Sequence, residues 1–300
     1  MVTYTWPPCN VALERSSRGG SMTVADATPS RLRGPLHLED CPDGRHGSAP
    51  SILSKAFAML GAFDPEHPTL TLSQVSMRSG LPKSTTHRIV QMLLELGALG
   101  RNGDDYWLGP QMFLFGARSL EFTIRDAATP FMERLAAQTG HVVQLAVLRE
   151  GDVVYLAKCG QLTDLTPVSV GDRLPPHATA IGKALLAFST QPTIDAVLCR
   201  ELAKLTDNTI TDASVLSKEL NRVRARRIAT DDEEVQRGLR CIATPICTVS
   251  QLAVAAISIA FPKSATYDSG FVPALQTMST TISRALRRSE AVRHDARLFW

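Results

Sequence analysis

Polar side chains between Lys83 and Gln91 have the types and the spacing to read the edge of a nucleic-acid duplex. Wound as a helix at about 100° per residue, Lys83, Ser84, His87, Arg88 and Gln91 fall on one side. Thr85, Ile89, Met92, Leu93 and Leu96 fall on the other. Amphipathicity alone signals only packing, so the polar side must discriminate. It carries hydroxyl, imidazole, guanidinium and amide groups, with a single acid, Glu95, near its far end. A guanidinium pairs with guanine and a carboxamide with adenine, while Lys and Ser suit phosphate oxygens. Lys83, Ser84, Thr85, His87, Arg88 and Gln91 are therefore the candidate DNA contacts.

Catalytic or metal chemistry finds less support. The run Asp231-Asp-Glu-Glu234 suggests a carboxylate-centred or metal site. Adjacent acids alternate in direction, however, and a solvated loop with one inward Asp is the better reading. Cys241 and Cys247, six apart on one strand, share a face but stand too far apart to bridge without rearrangement. A thiol-based redox regulator is the alternative they raise, and thiol-dependent DNA release would mark it. No GxSxG, HExxH, P-loop, GxGxxG or His/Cys metal spacing occurs. The expectation is a protein that is not an enzyme and has no cofactor.

The elements around the first cluster complete its meaning. Thr71 to Ser79 reads as a short helix, Gly80-Leu81 as a turn, and Pro82 to Leu96 as a second helix, with Pro82 at its first position. Gly97 ends it, and Ala98 to Leu108 reads as a hairpin with Asn102-Gly103 at its tip. Ser51 opens a further helix through Phe63. Helix, tight turn, helix and β-wing is the winged helix-turn-helix plan, which lays one helix in a major groove. Residues 51–108 carry five Lys/Arg against five Asp/Glu, so attraction to phosphate must come from segregation of the charges. Arg78, Lys83, Arg88 and Arg101 are expected around the reading face. Two copies of that face in a dimer would strengthen a weak monomer.

Farther along, Gln111–Leu120 and Arg125–Thr139 read as helices. Met112, Phe113, Phe115 and Leu120 are more apolar than a free linker needs and are expected to pack, in part on a second subunit. Residues 141–148 and 153–159 read as a hairpin, joined by Arg149-Glu-Gly-Asp152. Helices at 178–189, 193–203 and 213–227 follow, then strands at 239–246 and 252–261 and a last helix over 270–288. Strand 252–261 is apolar on both faces and should be central. The expected fold is α+β: an antiparallel sheet with helices packed on it. Five segments follow: 1–50, a Pro-, Gly-, Ser- and Arg-rich extension expected to be disordered; 51–109, the winged helix; 110–124, a linker helix; 125–290, the α+β domain; and 291–300, a tail. In the extension, His37, Cys41 and His46 fit no compact zinc site. No apolar run reaches a membrane span, no signal-peptide pattern opens the chain, and six scattered cysteines suit reduced thiols. A cytoplasmic protein is expected.

Several motifs together resemble one family. Gly80-Leu-Pro-Lys-Ser-Thr-Thr-His-Arg88, Leu108-Gly-Pro110, Leu174-Pro-Pro-His-Ala-Thr-Ala-Ile-Gly-Lys-Ala-Leu-Leu-Ala187, Asp231-Asp-Glu-Glu-Val-Gln-Arg-Gly-Leu-Arg-Cys-Ile-Ala243 and Ala255-Ala-Ile-Ser-Ile259 all look like the IclR family of bacterial transcriptional regulators. The resemblance spans roughly residues 51–290 in the family's order. It implies a winged-helix N-domain, a linker helix and a GAF-like C-domain that binds a small effector, in dimers often paired into tetramers. It places effector contacts at Ala180, Ile181, Asp231, Leu239, Cys241 and Ser258. Beside that analogy, the helix beginning near His177 has small residues in its first turn and unpaired N–H groups suited to an anion. Ser258 interrupts an apolar strand, so its hydroxyl needs a partner. Asp231 is expected to accept a hydrogen bond from a ligand hydroxyl or a pocket water rather than to meet a carboxylate. Ala260 replaces a hydroxyl found in some relatives two residues from Ser258, which favours a more apolar acid, aromatic rather than a very small keto-acid. Arg227 and Ser250-Gln251 stand where glycines are usual. The partners implied are a double-stranded operator, a small organic acid and copies of the same chain.

Overall fold

The computed structural model describes residues 51–160, 168–265 and 270–288. The expectations for residues 1–50, with His37, Cys41 and His46, and for 291–300 lie outside the described residues.

The first unit is three helices and a small sheet: α1 Ile52–Leu60, β1 Leu70–Thr71, α2 Leu72–Ser79, α3 Lys83–Glu95, β2 Leu99–Asn102 and β3 Asp105–Leu108. The strands lie in the order β1-β3-β2. Capping explains the boundaries. Ser51 accepts the Ser54 N–H and starts α1, while Thr71 and Gln74 form a reciprocal capping box on α2. Gly80 takes the left-handed conformation, φ +68, that turns the chain toward α3. Three local expectations change. α1 stops at Leu60, three residues short of Phe63. Pro82 is the N-cap of α3 rather than its first residue, with extended ψ of 142°. The wing turns at Gly103-Asp104, because Asn102 already pairs with Asp105 and Gly103 supplies the positive φ.

The buried stripe of α3 also differs from the winding. Thr86, Ile89, Val90 and Leu93 face the core formed with Met59, Leu70, Val75 and Tyr106. Met92 and Leu96 are exposed instead, Leu96 at 70%. Thr86 can be buried because its hydroxyl donates back to the Pro82 carbonyl at 3.1 Å, leaving only its methyl to pack.

Between this unit and the next lie α4 Pro110–Gly116 and the 20-residue α5 Leu120–Thr139. The break falls at 117–119, where Ser119 caps α5 by accepting the Phe122 N–H at 3.1 Å. The second helix therefore starts five residues before Arg125, and Ile124 is already fully buried in the following core.

That second core is a six-stranded antiparallel sheet in the order β6-β5-β4-β9-β8-β7. Its strands are β4 Val142–Arg149, β5 Asp152–Cys159, β6 Arg173–Leu174, β7 Ala229–Asp232, β8 Leu239–Cys247 and β9 Ala253–Pro262. The β4–β5 turn is Glu150-Gly151 with both residues at positive φ, the twist such hairpins prefer. Helices α5 and α9 Phe271–Arg288 pack on one face. Helices α6 Ala180–Ala187, α7 Gln191–Leu198 and α8 Ala213–Arg226 pack on the other. Central β9 serves both: Ile257, Ile259 and Phe261 point to α5 and α9, and Ala256 and Ala260 point to α6. Strand β7 is a correction. The acids at 231–234 begin in an edge strand rather than a solvated loop, and two of them, Asp231 and Glu234, are buried.

The two missing glycines have a common explanation. Arg227, after α8, sits at φ 56 and Gln251, in the β8–β9 turn, at φ 63. A side chain in this region costs about 1–2 kcal/mol, and here the two side chains bond each other. Arg227 donates to Gln251 Oε1 at 3.0 Å and to Cys247 Sγ at 3.3 Å, and its guanidinium lies 4.8 Å from the Phe188 ring centroid. Arg227→Gly should relieve the backbone while losing these contacts, leaving stability within about 1 kcal/mol of wild type. Arg227→Ala keeps the strained backbone and loses the contacts, so about 1–2 kcal/mol should go. Equilibrium urea unfolding of both variants checks the pair, and Ala proving no worse than Gly would refute the account.

Candidate functional site

Helix α3 presents Lys83, Ser84, His87 and Arg88 exposed, with Thr85 and Gln91 half-buried beside them. No side-chain hydrogen bond caps its N-terminus, so the first backbone N–H groups stay open to an anion. Lys83, His87 and Arg88 have no protein partner among the described residues. The other two cations expected here are already engaged. Arg78 donates to the Ala62 carbonyl at 2.7 Å and pairs with Asp64. Arg101 folds back on the wing, donating to the Gly103 carbonyl at 2.6 Å beside the Tyr106 ring. Both residues were placed by proximity along the chain. Carbonyls and a carboxylate closer than any phosphate claim them.

The second site is a small cavity between the sheet and the start of α6. Its lining includes Ala180, Ile181, Asp231, Leu239, Cys241 and Ser258. All six expected effector positions thus meet in one place, although nearly 80 residues separate the first from the last. Register explains how. Asp231 on β7 stands opposite Cys241 on β8, which stands opposite Ala260 on β9. In a neighbouring row Ser258 stands opposite Gln144 on β4, and its hydroxyl donates to the Gln144 side-chain amide oxygen, Oε1, at 3.4 Å. Ala260 is buried in the same face but does not line the cavity.

Above these rows, Thr179 is the N-cap of α6 and accepts the Gly182 N–H at 2.8 Å. The helix therefore begins at Ala180 rather than near His177. His177 is buried and bonded through Nε2 to the Ala203 carbonyl at 2.9 Å. The N–H groups of Ala180 and Ile181 have no acceptor among the described residues and border the cavity. Gly182 permits the close approach of this turn to the preceding segment: a Cβ there would lie 2.3 Å from Pro176 Cα. The cavity measures about 20 Å³, room for one or two waters, whereas apolar cavities that admit a benzene ring measure about 150 Å³. An aromatic occupant must move side chains.

Sequence reasoning missed Gln144 and Tyr155 in the lining and a buried ion pair beside it, while Thr179 lay in the small-residue turn it had singled out. Lys183 Nζ lies 2.5 Å from Glu234 Oε1, with 1% of the Lys183 side chain exposed. Gln144 and Lys183 were visible as lone polar residues in apolar runs, the same signal that marked Ser258. Glu234 carried no such signal until β7 fixed the direction of its neighbours. Burial raises the Asp231 carboxyl to about 7; the nearby Glu234 charge adds to the rise, while the Glu234 N–H at 2.7 Å and Lys183 oppose it. Burial likewise pushes the Cys241 and Cys247 thiols and the Tyr155 hydroxyl up.

Comparison with known proteins finds a match for each of the two units. Residues 52–103 match the IclR helix-turn-helix domain, and residues 119–284 match the bacterial transcriptional regulator IclR C-terminal family. The HTH-type transcriptional regulator KdgR of Dickeya chrysanthemi is 33% identical over 239 residues, covering 78% of this chain and 77% of that protein. The Pca regulon regulatory protein of Pseudomonas putida is 31% identical over 211 residues, 69% and 72% of the two chains. An IclR homolog from Microbacterium hydrocarbonoxydans, solved in complex with 4-hydroxybenzoate, superposes with a TM-score of 0.72 at 27% identity, over 80% of this chain and all of that one. With a DNA-binding helix-turn-helix unit followed by an effector domain, this chain belongs to the IclR family of ligand-responsive bacterial transcriptional regulators, which are not enzymes.

Proposed function

We propose that the C-terminal cavity senses a small organic acid, aromatic in preference to a very small keto-acid, and that its occupancy sets how tightly α3 holds an operator. The observation that carries this reading is the convergence of uncapped N–H groups at Ala180 and Ile181 with Asp231, Cys241 and Ser258 around one buried space. A carboxylate suits the helix end, and the remaining polar atoms suit a hydroxyl or carbonyl. The 4-hydroxybenzoate complex of the Microbacterium homolog supports an aromatic acid here. Asp231, at about 7, can donate as well as accept near neutral pH, which widens the acceptor-only role expected for it.

A thermal-shift screen against aliphatic and aromatic carboxylates tests the proposal, because a ligand that binds only the folded chain raises Tm by mass action. A selective rise that Ser258→Ala weakens is the expected result. Uniform silence across the panel would end the acid reading. Thiol sensing by Cys241 and Cys247 is disfavoured by the upward push on both thiols, since a sensor needs an accessible thiolate.

At the other end, Arg88, with Gln91, touches bases and Lys83 and Ser84 hold phosphates of a palindromic or repeated site; Thr85 and His87 complete the contact face. Arg88→Ala should lower operator affinity by about 1–3 kcal/mol if the guanidinium pairs with guanine. Fluorescence anisotropy on specific and scrambled duplexes reads it; an equal loss on both would move Arg88 from bases to phosphates. The chain works as a homodimer or homotetramer. Leu53 and Phe57 on α1 and Phe113 and Phe115 on α4 are exposed, Phe113 at 67%, while Met112 and Leu120 pack within their own chain. Monomers in sedimentation equilibrium at micromolar concentration would remove that part. No helix among the described residues is long and apolar enough to cross a membrane, and action on DNA places the protein in the cytoplasm.

A further inference from the structure

Around the cavity, negative charge outnumbers positive. Asp231 and Glu234 are both buried, at 2% and 7% exposure, and Lys183 is the buried cation beside them. Lys183 is committed to Glu234 Oε1 at 2.5 Å. The second Glu234 oxygen is buried without a hydrogen-bond partner. Apart from Lys183 on α6, the groups that act on this pair of acids from other elements add no positive charge: Cys241 stands opposite Asp231 on β8, Tyr155 reaches in from β5, and Glu219 on α8 acts on Glu234 with a further negative charge. The flanking acids are occupied elsewhere, Asp232 with Arg240 and Glu233 with Lys263.

An anionic effector placed among Ala180, Ile181 and Ser258 therefore brings another negative charge to a space whose nearest cation is already paired. Hydroxyls, amides and N–H dipoles soften this but supply no net charge. Like charges sharing a dry site cannot all stay ionised, and one of them holds a proton. Burial raises Glu234 too, but the Lys183 ammonium bonded to it opposes that rise, whereas Asp231 is bonded to no cation among the described residues, which leaves Asp231.

We infer that the pocket takes its acid effector together with one proton from solvent, and that Asp231 carries it. Neutral Asp231 still accepts the Glu234 N–H at Oδ1 and gains an O–H donor for the effector's carboxylate or carbonyl oxygen. Its carboxyl, already raised to about 7 without an effector, lies close enough to neutrality for a second negative charge to complete the shift. This inference rests on the acid-effector reading and adds the protonation state in which the site works.

Isothermal titration calorimetry of the full chain with benzoate and with pyruvate, in buffers of low and high ionisation enthalpy at pH 6, 7.5 and 8.5, tests it. Proton uptake should be small at pH 6 and approach one per bound acid at pH 8.5, with Kd weakening up to about tenfold per pH unit above 7. Asp231→Asn should bind without proton exchange and with the same Kd at all three values. Binding by wild type with no proton exchange and a constant Kd would overturn the inference and leave the acid reading standing. Uptake that survives in Asp231→Asn would overturn the assignment to Asp231. Absence of binding by either acid at every pH would count against the acid reading and take the inference with it. If Asp231→Asn fails to fold, the wild-type proton count still decides.

Discussion

Lys183→Met should cost about 3–5 kcal/mol of unfolding free energy at pH 8, and Lys183→Met/Glu234→Leu should recover most of it. Lys183 lies in the first turn of α6 with 1% of its side chain exposed, and among the described residues its ion-pair partner is Glu234 alone. Removing the ammonium leaves a carboxylate buried with neither oxygen satisfied, since Glu234 Oε2 already lacks a partner. That penalty belongs to the orphaned charge rather than to the lost attraction. Replacing both groups by apolar ones removes it, as burying a matched ion pair is itself close to neutral. The single variant should also lose less at pH 5 than at pH 8. Burial raises Glu234 even in the wild type, and without Lys183 it rises further. A carboxyl raised in the folded state costs stability progressively as pH climbs from its unfolded value to that raised value, and in full above it. Urea unfolding at fixed protein concentration, followed by far-UV circular dichroism at both pH values, gives the comparison. A loss below 1 kcal/mol at pH 8 would mean that water reaches Glu234.

These two residues also show where the sequence stops being legible. Periodicity located nearly every long element, because a stripe of Ile, Leu and Val has to face a core wherever the chain goes. It also made β9 central, since Ile257 and Ile259 face one layer while Ala256 and Ala260 face the other. What periodicity could not supply was the short edge strand β7, four residues with alternating burial and three of them polar. Without β7, Asp231 to Glu234 looked like a loop and the partner of Lys183 had no address. The six effector positions came from motif resemblance, and no local pattern would have joined Ala180 to Ser258. Pairing registers did that, and registers are long-range facts. The charge pattern is long-range for the same reason. Arg78 and Arg101 are basic in sequence, yet Asp64, the Ala62 carbonyl and the Gly103 carbonyl occupy them in space. Segregation of charge is therefore real at Lys83 and Arg88 and weaker than the composition around them implied, which strengthens the case for a dimer on DNA.

Asp231→Asn should make the protein more stable at pH 8 by about 2–4 kcal/mol and leave it nearly unchanged at pH 4. In the folded chain burial holds the Asp231 carboxyl at about 7, against 3.8 for an ordinary aspartate. Between those values the folded chain keeps a proton that the unfolded chain has released, so stability falls as pH rises from about 4 to about 7 and stays low above. The full difference corresponds to about 4 kcal/mol, and the Glu234 N–H at 2.7 Å is already counted within it. Asparagine keeps the oxygen that accepts this N–H and has no charge to bury. A carboxyl buried at such a cost to stability beside a cavity is the pattern expected of a functional group. Thermal and urea unfolding of both proteins from pH 4 to 8.5 gives two curves that should diverge from about pH 4 upward and run parallel again above about pH 7. Curves parallel over the whole range would show that Asp231 is ionised in the folded chain throughout, and the proton-coupled effector site would lose its physical basis along with the stability argument.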